Sequence, residues 1–204
     1  MKRWGTLNLA IATLALVLGA CGSAPPLRYY TLVPPAGGDA TVAPATQSFQ
    51  FELLPVTVPA QVDQPQMVVR EGGQGVAVLQ GQRWIAPLGD EVRGALSADL
   101  TRDFRAQDVT GLPNQGTSTV RIKLDVRRFD SVPGSYAYID AAWSVRPLKG
   151  GDALACTSRI SETVGEGYDA LVQGHQHAIN RLAGQIGAVA ATVATRQGAH
   201  CPEG

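Results

Sequence analysis

The sequence predicts an α+β fold, an antiparallel or mixed β-sheet with two amphipathic helices packed on one face. Three observations carry this expectation. Short strand-like runs come before a helical stripe near residue 90; three longer alternating runs follow between residues 119 and 164; a second helical stripe runs from about residue 168 to 196. Strands grouped ahead of each helix, rather than alternating with helices one by one, argue against a parallel doubly wound sheet.

The first twenty residues are a targeting segment rather than part of the fold. Lys2 and Arg3 precede an uncharged run over residues 9–18, and Leu18-Gly19-Ala20-Cys21 follows. A charged start, a short apolar stretch and small residues at the cut make a secretory leader. The apolar run is about half of the roughly 20 residues a permanent bilayer span needs, so removal is expected. A cysteine directly behind Gly19-Ala20 resembles the bacterial lipobox, in which the sulfur receives a diacylglycerol before cleavage; the alternative is a chance cysteine near an ordinary cut. Cys21 is thus the expected lipidation site. Two or three acyl chains, at ~0.8 kcal/mol per buried methylene, make the attachment durable. Gly22 rather than Asp behind the cysteine resembles the pattern that releases lipoproteins to the outer membrane, facing the periplasm.

Removing the leader leaves 184 of 204 residues, and since Lys2 and Arg3 go with it, the mature chain keeps 15 basic against 17 acidic residues, a net charge of −2. No polyanionic partner such as nucleic acid is implied by that balance. The length suits one domain with one core, expected over residues 49–198 with a short tail at 199–204. No later apolar stretch reaches spanning length.

Residues 21–48 form an expected tether, rich in Pro, Ala, Gly, Ser and Thr and interrupted by the apolar patch Tyr29-Tyr30-Thr31-Leu32-Val33. The patch is either a portable docking segment or an extra strand on the domain's own sheet edge. Phe49, Phe51 and Leu53 then alternate, with Val56 and Val58 between Pro55 and Pro59, which predicts an edge-type strand because proline cannot donate to a central ladder. Residues 67–70 and 76–79 are two further strands, joined as a hairpin through Gly72-Gly73-Gln74-Gly75. Trp84 is expected in the core.

Pro87 opens a helix, with Asp90 and Glu91 at the positive end of its dipole and Leu88, Val92, Leu96, Leu100 and Phe104 repeating every four residues. Val120, Ile122, Leu124 and Val126 alternate with Arg121, Lys123, Asp125 and Arg127. Turn signals at residues 131–134 and 149–152 then divide the following runs into a three-stranded antiparallel meander with one polar face. In the last helix Leu171, Val172, His175, Ala178, Ile179, Leu182, Ile186, Val189 and Val193 form the apolar stripe.

Candidate chemistry is sparse. With Cys21 acylated, Cys156 and Cys201 remain as a possible disulfide in a compartment that permits one; the alternative is a buried thiol in a strand and a loose one in the tail. Gly165-Glu166-Gly167-Tyr168-Asp169-Ala170 has the G-x-G-x-x-A spacing but no parallel strand to follow it, so it is a flexible strand-to-helix turn. His175 and His177 are two apart, which on a helix points their side chains roughly 200° apart and denies them a shared metal. No nucleophile elbow, phosphate loop or zinc-protease motif is present. An enzyme, a metal and a cofactor are therefore not expected.

Tyr29-Tyr30-Thr31-Leu32 behind the lipobox, the run Leu54-Pro55-Val56-Thr57-Val58-Pro59-Ala60-Gln61-Val62-Asp63-Gln64-Pro65-Gln66-Met67-Val68-Val69-Arg70, and Trp84-Ile85-Ala86-Pro87-Leu88 make an ordered succession. It resembles the PqiC family, auxiliary lipoproteins of ABC-type or MCE-type transport systems, over nearly all of the mature chain. The resemblance implies a non-enzymatic outer-membrane lipoprotein that partners an MCE-domain protein moving lipid or other apolar molecules across the periplasm. Tyr29, Tyr30, Leu32, Pro59, Pro65, Met67 and Arg70 are the candidate partner-binding residues; the latter four could equally shape a loop and strand. A homo-oligomer is left open.

Overall fold

The computed structural model describes residues 26–35, 49–113, 118–196 and 198–202. The leader, Cys21 and most of the expected tether lie outside these residues. Among them the chain forms β1 (Arg28–Tyr30), β2 (Gln50–Leu53), β3 (Gln66–Arg70), β4 (Val76–Trp84), α1 (Leu88–Phe104), β5 (Gln107–Asp108), β6 (Thr119–Val132), β7 (Tyr136–Pro147), β8 (Leu154–Thr163) and α2 (Tyr168–Ala194). The class is α+β, with two mixed sheets rather than one: a three-stranded sheet ordered β1-β4-β3 and a five-stranded sheet ordered β5-β2-β6-β7-β8.

The meander β6-β7-β8 is antiparallel throughout. Its first turn places Pro133 and Gly134 between Val132 and Ser135, with Gly134 at φ 72° and Ser135 N–H donating to Val132 O at 3.0 Å. Proline at the second position and a left-handed glycine at the third are what a type II turn requires. Register then puts Ile122, Leu124 and Val126 beside Val145, Trp143 and Ala141, and Trp143 beside Cys156, so one face of the sheet is apolar. α2 lies across that face, and every residue of its predicted stripe is buried.

β2 departs from the edge strand expected from Pro55 and Pro59. It pairs in parallel with β6 on one side and with the two-residue β5 on the other. Both prolines fall beyond its last residue, so residues 50–53 keep their N–H groups for the ladder, and Val56 and Val58 flank only a single bridge from Thr57 to Asp125. Phe51 and Leu53 are fully buried.

The helices meet closely. A Cβ at Gly187 of α2 would stand 2.3 Å from the Phe104 ring of α1, so glycine here sets the interhelical approach. Gly187→Ala is expected to cost about 1–3 kcal/mol through overpacking, read as a lowered urea midpoint at unchanged slope. An unaltered midpoint would show that Phe104 swings aside at no cost. Asp99, 2% exposed, pairs with Arg102 at 2.6 Å in the same interface. Burial raises its pKa, and the adjacent guanidinium opposes that rise.

Candidate functional site

The most informative region is where the chain, leaving the expected anchor, joins the domain. β1 adds to β4 in parallel, with Arg28, Tyr29 and Tyr30 beside Gln82, Arg83 and Trp84. Ile85 N–H donates to Tyr30 O at 2.9 Å, and the Tyr30 hydroxyl donates to Gln82 Oε1 at 2.9 Å. Leu32 is fully buried. The apolar patch thus lies against the domain, and the folded unit begins well before Phe49, because a strand edge and an apolar hole are available to it.

Glu91 holds this segment down. Its carboxylate, 4% exposed in the first turn of α1, accepts from Leu32 N–H at 2.7 Å and from the Thr31 hydroxyl at 2.8 Å. Gln176 of α2 donates to Thr31 O at 3.1 Å. Glu91→Ala leaves the buried Leu32 N–H without an acceptor, a loss of about 1.5–3 kcal/mol for a hydrogen bond to a charged group. The expected readout is trypsin cleavage after Arg28 in the full lipoprotein, faster by about 10–100-fold if cleavage follows local opening. An unchanged rate would show that β1 pairing alone keeps the segment in place.

The remaining candidate residues serve different ends. Met67, 1% exposed, belongs to the core. Arg70 pairs with Asp130 at 3.0 Å and so ties β3 to β6. Pro59 O accepts from Val62 and Asp63 and closes a turn, while Pro65 O accepts from Trp84 N–H at 2.9 Å. Tyr29 and Pro65 are exposed and Pro59 half-buried. Cys156 and Cys201 form a disulfide, with Cα atoms 5.5 Å apart, that returns the tail to the edge strand β8.

Other polar clusters are structural in character. His175 is fully buried; its Nε2 lies 2.8 Å from the Ser131 hydroxyl, and its ring stacks on Phe129 at 3.9 Å between centroids. Phe129 meets Trp84 edge-on at 6.2 Å, so this chain of rings joins both sheets to α2. Burial, only partly offset by Asp130, lowers the His175 pKa to about 3. His177 is exposed, and among the described residues no cluster of three or more His, Cys, Asp or Glu could hold a metal. The glycine-rich run sits at the turn from β8 into α2, with Gly167 at φ 89°. An open groove of about 540 Å³ crosses the outer face of the meander past Lys123, Asp125 and Arg127, ending at Pro202. Its Asp125 is already engaged by the Thr57 hydroxyl.

Glu91 was visible to sequence reasoning only as a dipole-favoured acid. The overlooked signal is its spacing: three residues beyond Leu88 and four before Ala95, it falls on the apolar face, where a carboxylate needs partners.

A mixed α+β domain whose leading strand folds back on it, behind the expected lipidation site, fits a tethered envelope domain in kind. The chain belongs to the family of ABC-type transport auxiliary lipoprotein components, whose family model matches residues 30–187. Membership makes it a membrane-anchored, periplasm-facing transport auxiliary lipoprotein. The fold is shared with a Xanthomonas campestris protein of family DUF330, at 16% identity and TM-score 0.65, covering 83% of this chain and 97% of that one. It is shared also with an uncharacterized protein of known crystal structure, at 17% identity and TM-score 0.62 over 80% and 97%. No curated protein matches the chain. Among the described residues no helix is long and apolar enough to cross a membrane.

Proposed function

We propose that this protein is a non-enzymatic accessory component of an MCE-type, ABC-linked transport system, held at the outer membrane by acyl chains on Cys21 and facing the periplasm. Its role in this reading is to dock the far end of an MCE-domain protein that moves lipid or another apolar substrate, and so to support envelope integrity. The match to the transport auxiliary family over residues 30–187 carries the proposal. The lipobox at Cys21 and the Gly22 that follows it support the outer-membrane placement. The accessible 59–65 loop, with Pro59 and Pro65, is the proposed partner face.

The test is co-purification of the full lipoprotein with an MCE-domain protein from membranes, before and after Pro59→Ser and Pro65→Ser. Association lost in the double variant supports the loop. Association retained rejects the loop assignment, and absence of any MCE protein from the wild-type preparation rejects the system. Outer-membrane fractionation that persists after Cys21→Ser would reject the anchor.

A further inference from the structure

We propose that Leu27, Tyr29 and Ile85 form a lipid-seating patch that rests the domain on the surface of the membrane in which Cys21 is anchored. This rests on the lipidation of Cys21 proposed above.

The first argument is reach. Arg28 lies seven residues beyond Cys21, and a chain spans at most about 3.6 Å per residue, so β1 sits within roughly 25 Å of the acylated cysteine. A domain of this size has a radius of gyration near 15 Å, hence a diameter of roughly 40 Å. The leash is shorter than the domain is wide. With β1 paired to β4 and Leu32 closed under Glu91, residues 28–32 cannot lengthen it. The β1 side of the small sheet must therefore be the membrane-facing half.

The second argument is the chemistry of that side. Pairing of Tyr29 with Arg83 places both on one face of the sheet, and Ile85 follows just past the end of β4, tied to β1 by its N–H on Tyr30 O. The opposite face carries Tyr30 and the buried Trp84. Leu27, Tyr29 and Ile85 are 51%, 54% and 61% exposed, among the most exposed large apolar side chains of the described residues. Arg83 stands on their face, whereas Arg28, paired with Gln82, falls on the Tyr30 side and meets Asp169 at 3.9 Å. Aliphatic side chains to enter the acyl boundary, a tyrosine with an apolar ring and polar tip, and the Arg83 guanidinium to meet a phosphate make an interfacial set. Neither the groove on the meander nor the 59–65 loop has this composition.

The test uses the full lipoprotein reconstituted into vesicles of phosphatidylethanolamine and phosphatidylglycerol, with and without acyl-chain-brominated lipid. Tyr29→Trp introduces a reporter on the patch. Val76→Trp introduces one at the far end of β4, about 13 Å further along the sheet, because the paired β3 covers that stretch in four residues at about 3.3 Å each. The expected result is emission reduced about twofold by brominated lipid for Tyr29→Trp, against the unsubstituted protein's buried tryptophans as background, and little change for Val76→Trp. Equal quenching of the two variants, or none in either while the protein co-floats with vesicles, overturns the seating and leaves the anchor intact. A blue-shifted Tyr29→Trp emission without bromine quenching assigns the patch to a protein partner and also overturns it. Failure to co-float removes the anchor and the seating together.

Discussion

From pH 6.5 down to about 4.5, the protein is expected to lose folding stability through His175 with a slope approaching 1.4 kcal/mol per pH unit. The imidazole is fully enclosed, stacked on Phe129 and joined through Nε2 to Ser131, so charging it in place would strip an ion of water. Its pKa falls to about 3, whereas in the unfolded chain it returns to about 6.5. A histidine with a depressed folded pKa contributes stability that is whole above the unfolded value and is lost as pH falls. Below pH 6.5 the unfolded state therefore takes up a proton that the folded state refuses, and over the full window the loss amounts to roughly 5 kcal/mol. Asp108, whose pKa is lowered against its own desolvation by hydrogen bonds from Thr110 and Ser97, steepens the loss only at the acid end. The check is urea unfolding at several pH values for wild type and for His175→Leu combined with Ser131→Ala, which removes both partners of the hydrogen bond. Curves that run parallel between pH 6.5 and 4.5 would show that His175 becomes protonated without unfolding.

The alternating runs of β6 and β7 and the stripe of α2 were legible because each repeats one physical fact, an apolar side chain facing the core at every second or every third to fourth residue. That periodicity survives translation into burial almost residue for residue. The small sheet was not legible as a separate sheet. β4 pairs Val76, Ala77 and Val78 with Arg70, Val69 and Val68, but Arg83 with Gln66, so three extra residues are taken up around Gly81 and the inward face switches from Ala77 to Trp84. A period-two pattern cannot announce such a slip. β5 is two residues long and carries no pattern at all. Of the site, Cys21 follows from a local motif and Tyr29 to Leu32 from an apolar interruption in a polar tether. Whether that interruption docks outward or inward depended on Glu91, 59 residues away from Leu32 in the chain, and long-range complementarity of that kind has no local signature.

Loss of the Cys156–Cys201 bridge is expected to cost about 4 kcal/mol, the chain-entropy value for a loop of 45 residues, and to act at a particular place. The loop contains all of α2, so the bridge returns the C-terminal end of that helix to the sheet it covers. Cys156 is on β8, an edge of the five-stranded sheet, and Cys201 brings Ala199 and Pro202 alongside it. A tail that lays Pro202 beside an open edge obstructs pairing with another chain, since proline offers no donor there. Cys156→Ala with Cys201→Ala should thus lower the denaturation midpoint and release the tail, and the freed edge of β8 should favour self-association as concentration rises. The two effects separate experimentally. Denaturant unfolding at low concentration reports the chain-entropy loss, and light scattering at rising concentration reports the exposed edge. A variant with wild-type stability would show that the bridge merely joins groups already fixed by packing. A destabilised variant that remains monomeric would show that residues 198–202 still cover β8 without the covalent link.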